Sequence, residues 1–244
     1  VSITKQTKER PILFSAPMIS AILLGSKTQT RRVAKPVKHP DLGNVYAPGA
    51  LVLEREPQHV IDRACPHGQP GGCLWVRETW GVVSNDWGDN GAMIDWVPDR
   101  PATPIHEMPF GQGYYSGHVI YAADGSYEWA GDDDGGGESR TAWHPSIHMP
   151  RAASRILLEI VSVRVERLNG ISEADARAEG VVVEDRHKGG YCAGEHLAPA
   201  VRAFRELWES INGAGSWDAN PWCWCVEFKR LQPVSQRAPG ASHG

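Results

Sequence analysis

No run of apolar residues in the 244-residue chain approaches the roughly 20 that a membrane-spanning helix needs. The first residues, Val1-Ser2-Ile3-Thr4-Lys5, lack the apolar stretch of a secretory signal. The expected location is therefore the cytoplasm, with no membrane partner. Cysteine is scarce and odd in number, at five. Cys223 and Cys225 stand two apart on one expected strand, where they point the same way and cannot easily pair. Reduced thiols are expected, not a disulfide framework. The chain also lacks a Gly-rich phosphate loop, a Ser-His-Asp order and an HExxH helix. No internal repeat is present. Cys65-Pro66-His67 with Cys73 offers three metal-binding side chains, but a fourth is not evident and the spacing matches no standard zinc pairing. The expectation is a loop held by packing, with no metal or other cofactor.

What is present is enough for a core. Hydrophobic residues make up 41% of the chain and charged residues 22%, the balance of a globular domain. A net charge of −4 hides an asymmetry. Residues 1–40 carry eight Lys or Arg against the single acid Glu9, whereas residues 82–143 carry eleven Asp or Glu against two Arg. A basic end can attract phosphate. Alternatively, the two regions neutralise one another on the surface.

Ile12-Leu13-Phe14 reads as a short buried strand. Ser15 can cap a following helix with Pro17 in its first turn. Met18 and Ile22 follow at helical spacing, and Gly25 is a natural stop. Residues 34–72 read as loop, apart from a strand at Ala50-Leu51-Val52-Leu53. Leu74-Trp75-Val76-Arg77-Glu78-Thr79-Trp80 reads as a strand. Residues 82–143 read as an irregular insert with one ordered strand, His118–Ala123, and a surface loop at Asp132-Asp133-Asp134-Gly135-Gly136-Gly137.

The C-terminal half is more regular. Ile156, Leu158 and Ile160 alternate in one phase and Val161, Val163 and Val165 in the other, which predicts a β-bulge near Ile160-Val161. Ser172-Glu173-Ala174-Asp175 opens a short helix ending at Glu179-Gly180. A second helix covers 197–212, with Leu197, Val201, Phe204, Trp208 and Ile211 on one face. Trp222 to Lys229 forms a half-buried closing strand, and 232–244 an unstructured tail. Together these elements predict one α+β domain over residues 10–231, a small barrel or curled sheet with short flanking helices and long loop insertions.

The residues most suited to chemistry follow Gly25. Lys27, Thr28, Thr30, Arg31 and Arg32 place two hydroxyls among three cations, a set that can bind an anion by charge-assisted hydrogen bonds. A lysine of lowered pKa can instead activate a neighbouring Thr for attack on a carbonyl. The plain alternative is a solvated basic turn. Glu78 can line the same pocket as Lys27, with Arg77 on the opposite face of the strand, or the two are ordinary rim charges. Trp80 can stack on a base, worth about 1–3 kcal/mol, or sit in a core. His148 and Arg151, in Trp143-His144-Pro145-Ser146-Ile147-His148-Met149-Pro150-Arg151, can reach phosphate or a base edge, or that segment only docks a loop.

Arg10-Pro11-Ile12-Leu13-Phe14-Ser15 through Gly25-x-Lys27-Thr28-x-Thr30-Arg31-Arg32 resembles the opening of ASCH-domain proteins, in a subgroup common in bacteriophages and prophages. Leu74-Trp75-Val76-Arg77-Glu78-Thr79-Trp80, Ile171-Ser172-Glu173-Ala174-Asp175-Ala176-x-Ala178-Glu179-Gly180, and Trp208-x-x-Ile211-Asn212-Gly213 through Trp217-x-x-Asn220-Pro221-Trp222 are similar to later stretches of the same subgroup. The typical Gly-Asp before the Leu-Trp-Val strand reads Gly72-Cys73 here. The resemblance implies a PUA-like β-barrel that binds RNA or a modified nucleoside. It also implies an alternative, an amidohydrolase acting on N4-acetylcytidine-type nucleosides. There Thr30 would be the nucleophile, Lys27 its base and Glu179 a proton relay or orienting group. A third implied reading is a non-catalytic phage accessory or morphogenesis protein, encoded by a phage or prophage in a bacterial host.

Overall fold

The computed structural model describes residues 8–88, 90–127, 142–184 and 197–231. Alternating β-branched and aromatic residues build two long strands that pair antiparallel, β11 (Leu157–Arg167) and β12 (Trp222–Leu231). They lie at the centre of a five-stranded sheet. β5 (Cys73–Arg77) flanks β11, and β1 (Glu9–Leu13) runs parallel to β5 at one edge. β2 (Gln29–Val33) pairs antiparallel with β12 at the other edge, giving the order β1-β5-β11-β12-β2. The expected β-bulge is present, since the register shifts between Ile160 and Ser162 and leaves Val161 half-exposed.

The chain is a mixed α+β fold, but its main sheet is not a closed barrel: among the described residues no ladder joins β1 to β2. A side chain reaches across instead. Arg32 of β2 donates to the Leu13 carbonyl oxygen at the end of β1, with its guanidinium 5.2 Å from the Phe14 ring centre.

Helix α1 (Ala16–Leu23) has Pro17 in its first turn and Gly25, at φ +78°, just past its end. Ser15 occupies the capping position, but its side chain makes no capping bond. The 34–72 region differs from expectation. Besides the small ladder β3 (Val37–Lys38) with β4 (Val45–Tyr46), it holds two helices, α2 (Ala50–Leu53) and α3 (Gln58–Ala64). Ala50–Leu53 is a turn of helix, not a strand; so short an apolar run has no period that separates the two. Its buried Leu51 joins the core with Val60 and Ile61 of α3.

The described part of the 82–143 stretch is also more regular than its composition suggests. The strand read as Leu74–Trp80 breaks after Arg77, and Trp80 begins β6 (Trp80–Val83). A small hairpin of β7 (Asn85–Trp87) and β8 (Met93–Asp95) follows. β9 (Thr103–Phe110) and β10 (Gly113–Tyr121) complete a second sheet, ordered β6-β10-β9. It packs its own core of Trp80, Met108, Val119, Tyr121, Met149 and Ala153. Pro104, Pro109 and a register shift before Gly117 interrupt the alternation that would have announced it. Asp132–Gly137 and the 232–244 tail lie outside the described residues.

Ser172 caps α4 (Glu173–Ala178), its hydroxyl accepting from the Asp175 N–H at 3.0 Å. α5 (Pro199–Asn212) buries Val201, Phe204 and Trp208 as its spacing predicts, and leaves Ile211 more than half exposed. Strand β12 is not half-buried as expected. Trp224, Val226 and Phe228 enter the main core, while Cys223 on the other face is covered by a second cluster that includes Phe204, Trp208 and Trp217. None of the described helices is long and apolar enough to cross a membrane.

Gly49, at φ +82°, lies directly against Trp222: a Cβ there would fall 2.2 Å from the indole ring. Gly49→Ala is expected to destabilise the fold by about 2–3 kcal/mol through this overlap and the positive φ. Urea unfolding of the wild type and the variant measures it.

Candidate functional site

The segment after α1 is held from three sides. Ser26 and Lys27 both donate their N–H groups to the Ala21 carbonyl, at 3.0 and 3.1 Å. Thr28 donates to Ala178 and accepts from Phe228, both at 2.8 Å. Lys27 and Glu179 thus face each other in an isolated antiparallel bridge, although 152 positions separate them. Gly180, at φ +82°, makes the approach possible, since a Cβ there would sit 2.7 Å from the Lys27 Cβ. The plain alternative of a solvated basic turn does not hold: the stretch is the bridge and edge strand β2, with Lys27, Thr30 and Arg31 all buried.

Lys27 Nζ donates to the Gln29 carbonyl at 2.8 Å, the Glu179 carbonyl at 2.8 Å and Glu179 Oε2 at 2.9 Å. Three acceptors match the three N–H donors of an ammonium. Burial lowers the Lys27 pKa from its ordinary value; the Glu179 carboxylate opposes that shift, and Arg32 and Arg31 add to it. The second carboxylate oxygen of Glu179 accepts from Gln29 Nε2 and Arg31 Nη1, each at 3.4 Å.

Arg31 is wholly enclosed. Besides Glu179 it meets Glu166 at 3.0 Å and Asp175 at 3.6 Å. Arg164 adds a further cation, bound to Glu166 and Asp175 at 2.6 Å each, to Gln29 Oε1 at 2.8 Å and to Glu227. Lys27, Arg31 and Arg164 are thus matched by Glu166, Asp175, Glu179 and Glu227. This corrects two expectations. Arg31 is a strut among carboxylates, not a free ligand-holding group. Within the basic N-terminal segment, Lys27 and Arg31 are neutralised by Glu166 of β11 and by Asp175 and Glu179 of α4 and its end, and among the described residues no acid of the 82–143 region pairs with them.

Above this network lies a cavity of about 340 Å³. Thr30, Arg31, Arg32 and Glu179 supply its polar side, and Phe14, Met18, Phe204, Leu207, Trp208 and Ile211 much of its apolar side. Thr30 has no side-chain hydrogen bond among the described residues. Lys27 does not line the cavity; it lies behind Glu179, with its ammonium 5.6 Å from the centre of the Phe14 ring. Arg32 lines the cavity beside Phe14, and burial depresses its pKa while Glu179 supports its charge.

The other sequence candidates fall elsewhere. Thr28 is exposed and contributes its backbone to the bridge. Glu78 is buried away from Lys27, in a two-pronged pair with Arg155 at 2.9 and 3.0 Å; Arg155 also holds Asp124 at 2.6 Å. Burial raises the Glu78 pKa and Arg155 opposes it. Trp80 is a core residue, fully buried against Phe110 and His144, and offers no stacking face. Arg77 lies over the Trp75 ring and donates to the Ile147 carbonyl. His148 is exposed, and Arg151 pairs with Glu9 at 2.6 Å; only Ser146 of that segment lines the cavity. Cys65, His67 and Cys73 do not gather, and no metal-holding group of three such residues occurs among the described residues. Burial lifts the Cys65 thiol to about 11 and lowers the His67 imidazole to about 4, the latter with help from the Arg32 and Arg10 charges.

Sequence reasoning missed Gln29, Arg164, Glu166 and Asp175 as site-supporting groups. They sit on regular elements at unremarkable spacings, so no local signal marks them. It also read Phe204, Trp208 and Ile211 only as a core face, although that amphipathic stripe is what walls the cavity. Comparison with protein-family models, curated proteins and solved structures finds no match to this chain.

Glu179→Ala strands two buried cations and is expected to cost about 3–5 kcal/mol, with Glu179→Gln, which keeps an acceptor, costing less. Chemical denaturation tests both. The Lys27 proton adds a pH dependence. Its folded pKa lies below its unfolded value of 10.5, so in that window the unfolded chain binds more protons and stability rises with pH. The wild type should therefore gain stability relative to Lys27→Met as pH climbs from the folded pKa toward 10.5. Paired unfolding curves across that range read the slope.

Proposed function

We propose that the cavity binds a modified nucleoside, with the base between its aromatic and aliphatic walls and a polar edge toward Thr30 and Glu179. One observation carries this reading: a single concavity of about 340 Å³ is apolar along α1 and α5 and ends on a hydroxyl and a buried carboxylate. That size is within the usual range for small-molecule sites, which combine mostly apolar walls with a few placed polar groups. The charge arrangement favours a nucleoside over a run of phosphates at this point. Lys27 and Arg31 are spent on carboxylates, and Arg32 is the remaining cation on the wall. In this reading the main sheet is a PUA-like barrel left open at β1 and β2, with the ligand in the opening.

The pairing of Lys27 with Glu179 favours a second reading, hydrolysis of an N-acylated cytidine. Thr30 would attack the acyl carbonyl and pass its proton toward the Glu179 carboxylate, which also faces the cavity. Lys27, whose three donors are occupied, would hold Glu179 ionised and oriented instead of acting as the base itself. Glu179 would return the Thr30 proton to the N4 nitrogen as the acyl C–N bond breaks and cytidine leaves. Water would then hydrolyse the ester on Thr30, freeing the carboxylic acid and restoring the hydroxyl. ASCH-type membership of this chain, with its phage or prophage setting in a bacterial cytoplasm, belongs to the same proposal.

The test is to titrate the protein with cytidine and N4-acetylcytidine and to follow cytidine release from the latter. Trp208→Ala should weaken nucleoside binding about fivefold or more, as expected for a stacking contact of roughly 1–3 kcal/mol. Thr30→Ala should abolish release while keeping most of the binding, which rests on the apolar walls. No binding of either nucleoside by the wild type removes the first reading. Release that is equal in Thr30→Ala removes the second.

A further inference from the structure

A second concavity, of about 430 Å³, opens at the other end of β1. Its wall carries Lys8, Arg10 and Arg63, together with Asp62, Cys65 and the turn from Gly68 to Gly72. Its character is opposite to that of the first cavity, for it has cations and glycine backbone in place of an aromatic wall.

The charges on this wall are largely uncommitted. Lys8 and Arg10 have no carboxylate partner among the described residues. Arg10 is steered by the Pro66 carbonyl, to which its Nη1 donates. Arg63 pairs with Asp41 at 2.7 Å, but that pair is exposed and solvent-screened. The lone acid on the wall, Asp62, accepts from Gln58 at 2.7 Å. Three cations thus face one carboxylate.

The backbone adds to the arrangement. The Cys73 N–H bonds to the Lys8 carbonyl at 3.3 Å, which fixes Lys8 beside the start of β5. Gly68, at φ +125°, lets the turn lie over Arg10: a Cβ at that position would come within 3.9 Å of Arg10 Nε and 2.8 Å of Ile160 Cδ1. Gly68, Gly71 and Gly72 each spend their N–H on a carbonyl, whereas the Gln69 N–H has no partner among the described residues. That leaves two unpaired cations and a free amide N–H on one concave wall, a donor set suited to tetrahedral oxyanions.

We propose that this cavity is an anion site for phosphoryl groups, distinct from the nucleoside cavity and independent of how that cavity is read. Lys8 supplies a point charge, Arg10 and Arg63 supply guanidinium donors, and the Gln69 N–H completes the cradle. The phosphoryl group can belong to a free phosphate compound or to a polynucleotide backbone; the recognition chemistry is the same.

The test is calorimetric titration at low salt with three probes: inorganic pyrophosphate, cytidine 5′-monophosphate and a short single-stranded RNA. Two variants accompany the wild type, Lys8→Gln/Arg10→Gln and Lys8→Gln/Arg63→Gln. The second changes only exposed side chains, so it reports on binding even if loss of the Arg10–Pro66 contact disturbs folding. At least one probe should bind, and each double variant should weaken it about tenfold or more, the expected loss for charge-assisted contacts. Binding of pyrophosphate or the monophosphate with that dependence assigns the site to free phosphates. Binding of RNA alone, with the same dependence and a shallower salt slope in the variants, assigns it to a backbone. Trp208→Ala should leave pyrophosphate binding unchanged. If no probe binds, or if the Lys8→Gln/Arg63→Gln protein binds every probe as the wild type does, the proposal is overturned.

Discussion

The Glu179 carboxylate is the constraint on which the rest of the site depends. It lies at the end of α4 with almost no solvent contact, and it accepts from Lys27 and Arg31, which belong to the opposite end of the chain. Ions so enclosed are tolerable only when their remaining donors and acceptors are also satisfied. That requirement propagates outward. Arg31 needs Glu166 and Asp175, those need Arg164, and Arg164 takes Glu227 and Gln29. The result locks β2, β11, β12 and α4 into one arrangement and sets the polar floor of the first cavity. The network therefore supports position more than affinity, and its net character is not basic.

A smaller version of the same device appears where the two sheets approach each other. Glu78 follows β5 and Tyr121 ends β10, and Arg155 meets both: it forks onto the Glu78 carboxylate and lies 3.8 Å from the Tyr121 ring centre. The Tyr121 hydroxyl in turn donates to the Ala153 carbonyl at 3.0 Å. Residues that sequence reasoning offered as pocket and stacking groups are spent on joining the second sheet to the first. Strand β1 then relates the two cavities. Leu13 at one end lines the first, largely apolar cavity, and Arg10 near the other lines the cationic one. Five residues of strand span roughly 15 Å, so the two concavities are neighbours along a single edge with contrasting chemistry.

Legibility followed the range of the interactions. The bulge at Ile160-Ser162, the Ser172 cap and the buried stripe of α5 were readable because phase, capping chemistry and helical spacing are local. Ala50–Leu53 was misread because four apolar residues carry no distinguishable period. The second sheet was missed because prolines and a register shift broke its alternation, and because its core borrows Met149 and Ala153 from beyond the insert. Family resemblance brought Lys27, Thr30 and Glu179 onto one list; the fold gave them unequal places. Thr30 and Glu179 line the cavity, and Lys27 lies behind.

By itself the sequence determined the periodic elements, the division between a regular C-terminal half and an interrupted middle, and the concentration of cations near the N-terminus. Each is a property of neighbours along the chain. Only the tertiary structure decided which cations remain available. Lys27 and Arg31 look identical in sequence to Lys8 and Arg10. Burial under α4 forces the first two to find carboxylates up to 152 positions away, whereas the second two stay at an open strand edge with none among the described residues. The physical reason is desolvation: an enclosed charge must be matched by whatever the fold brings to it, and that match is absent from any local pattern.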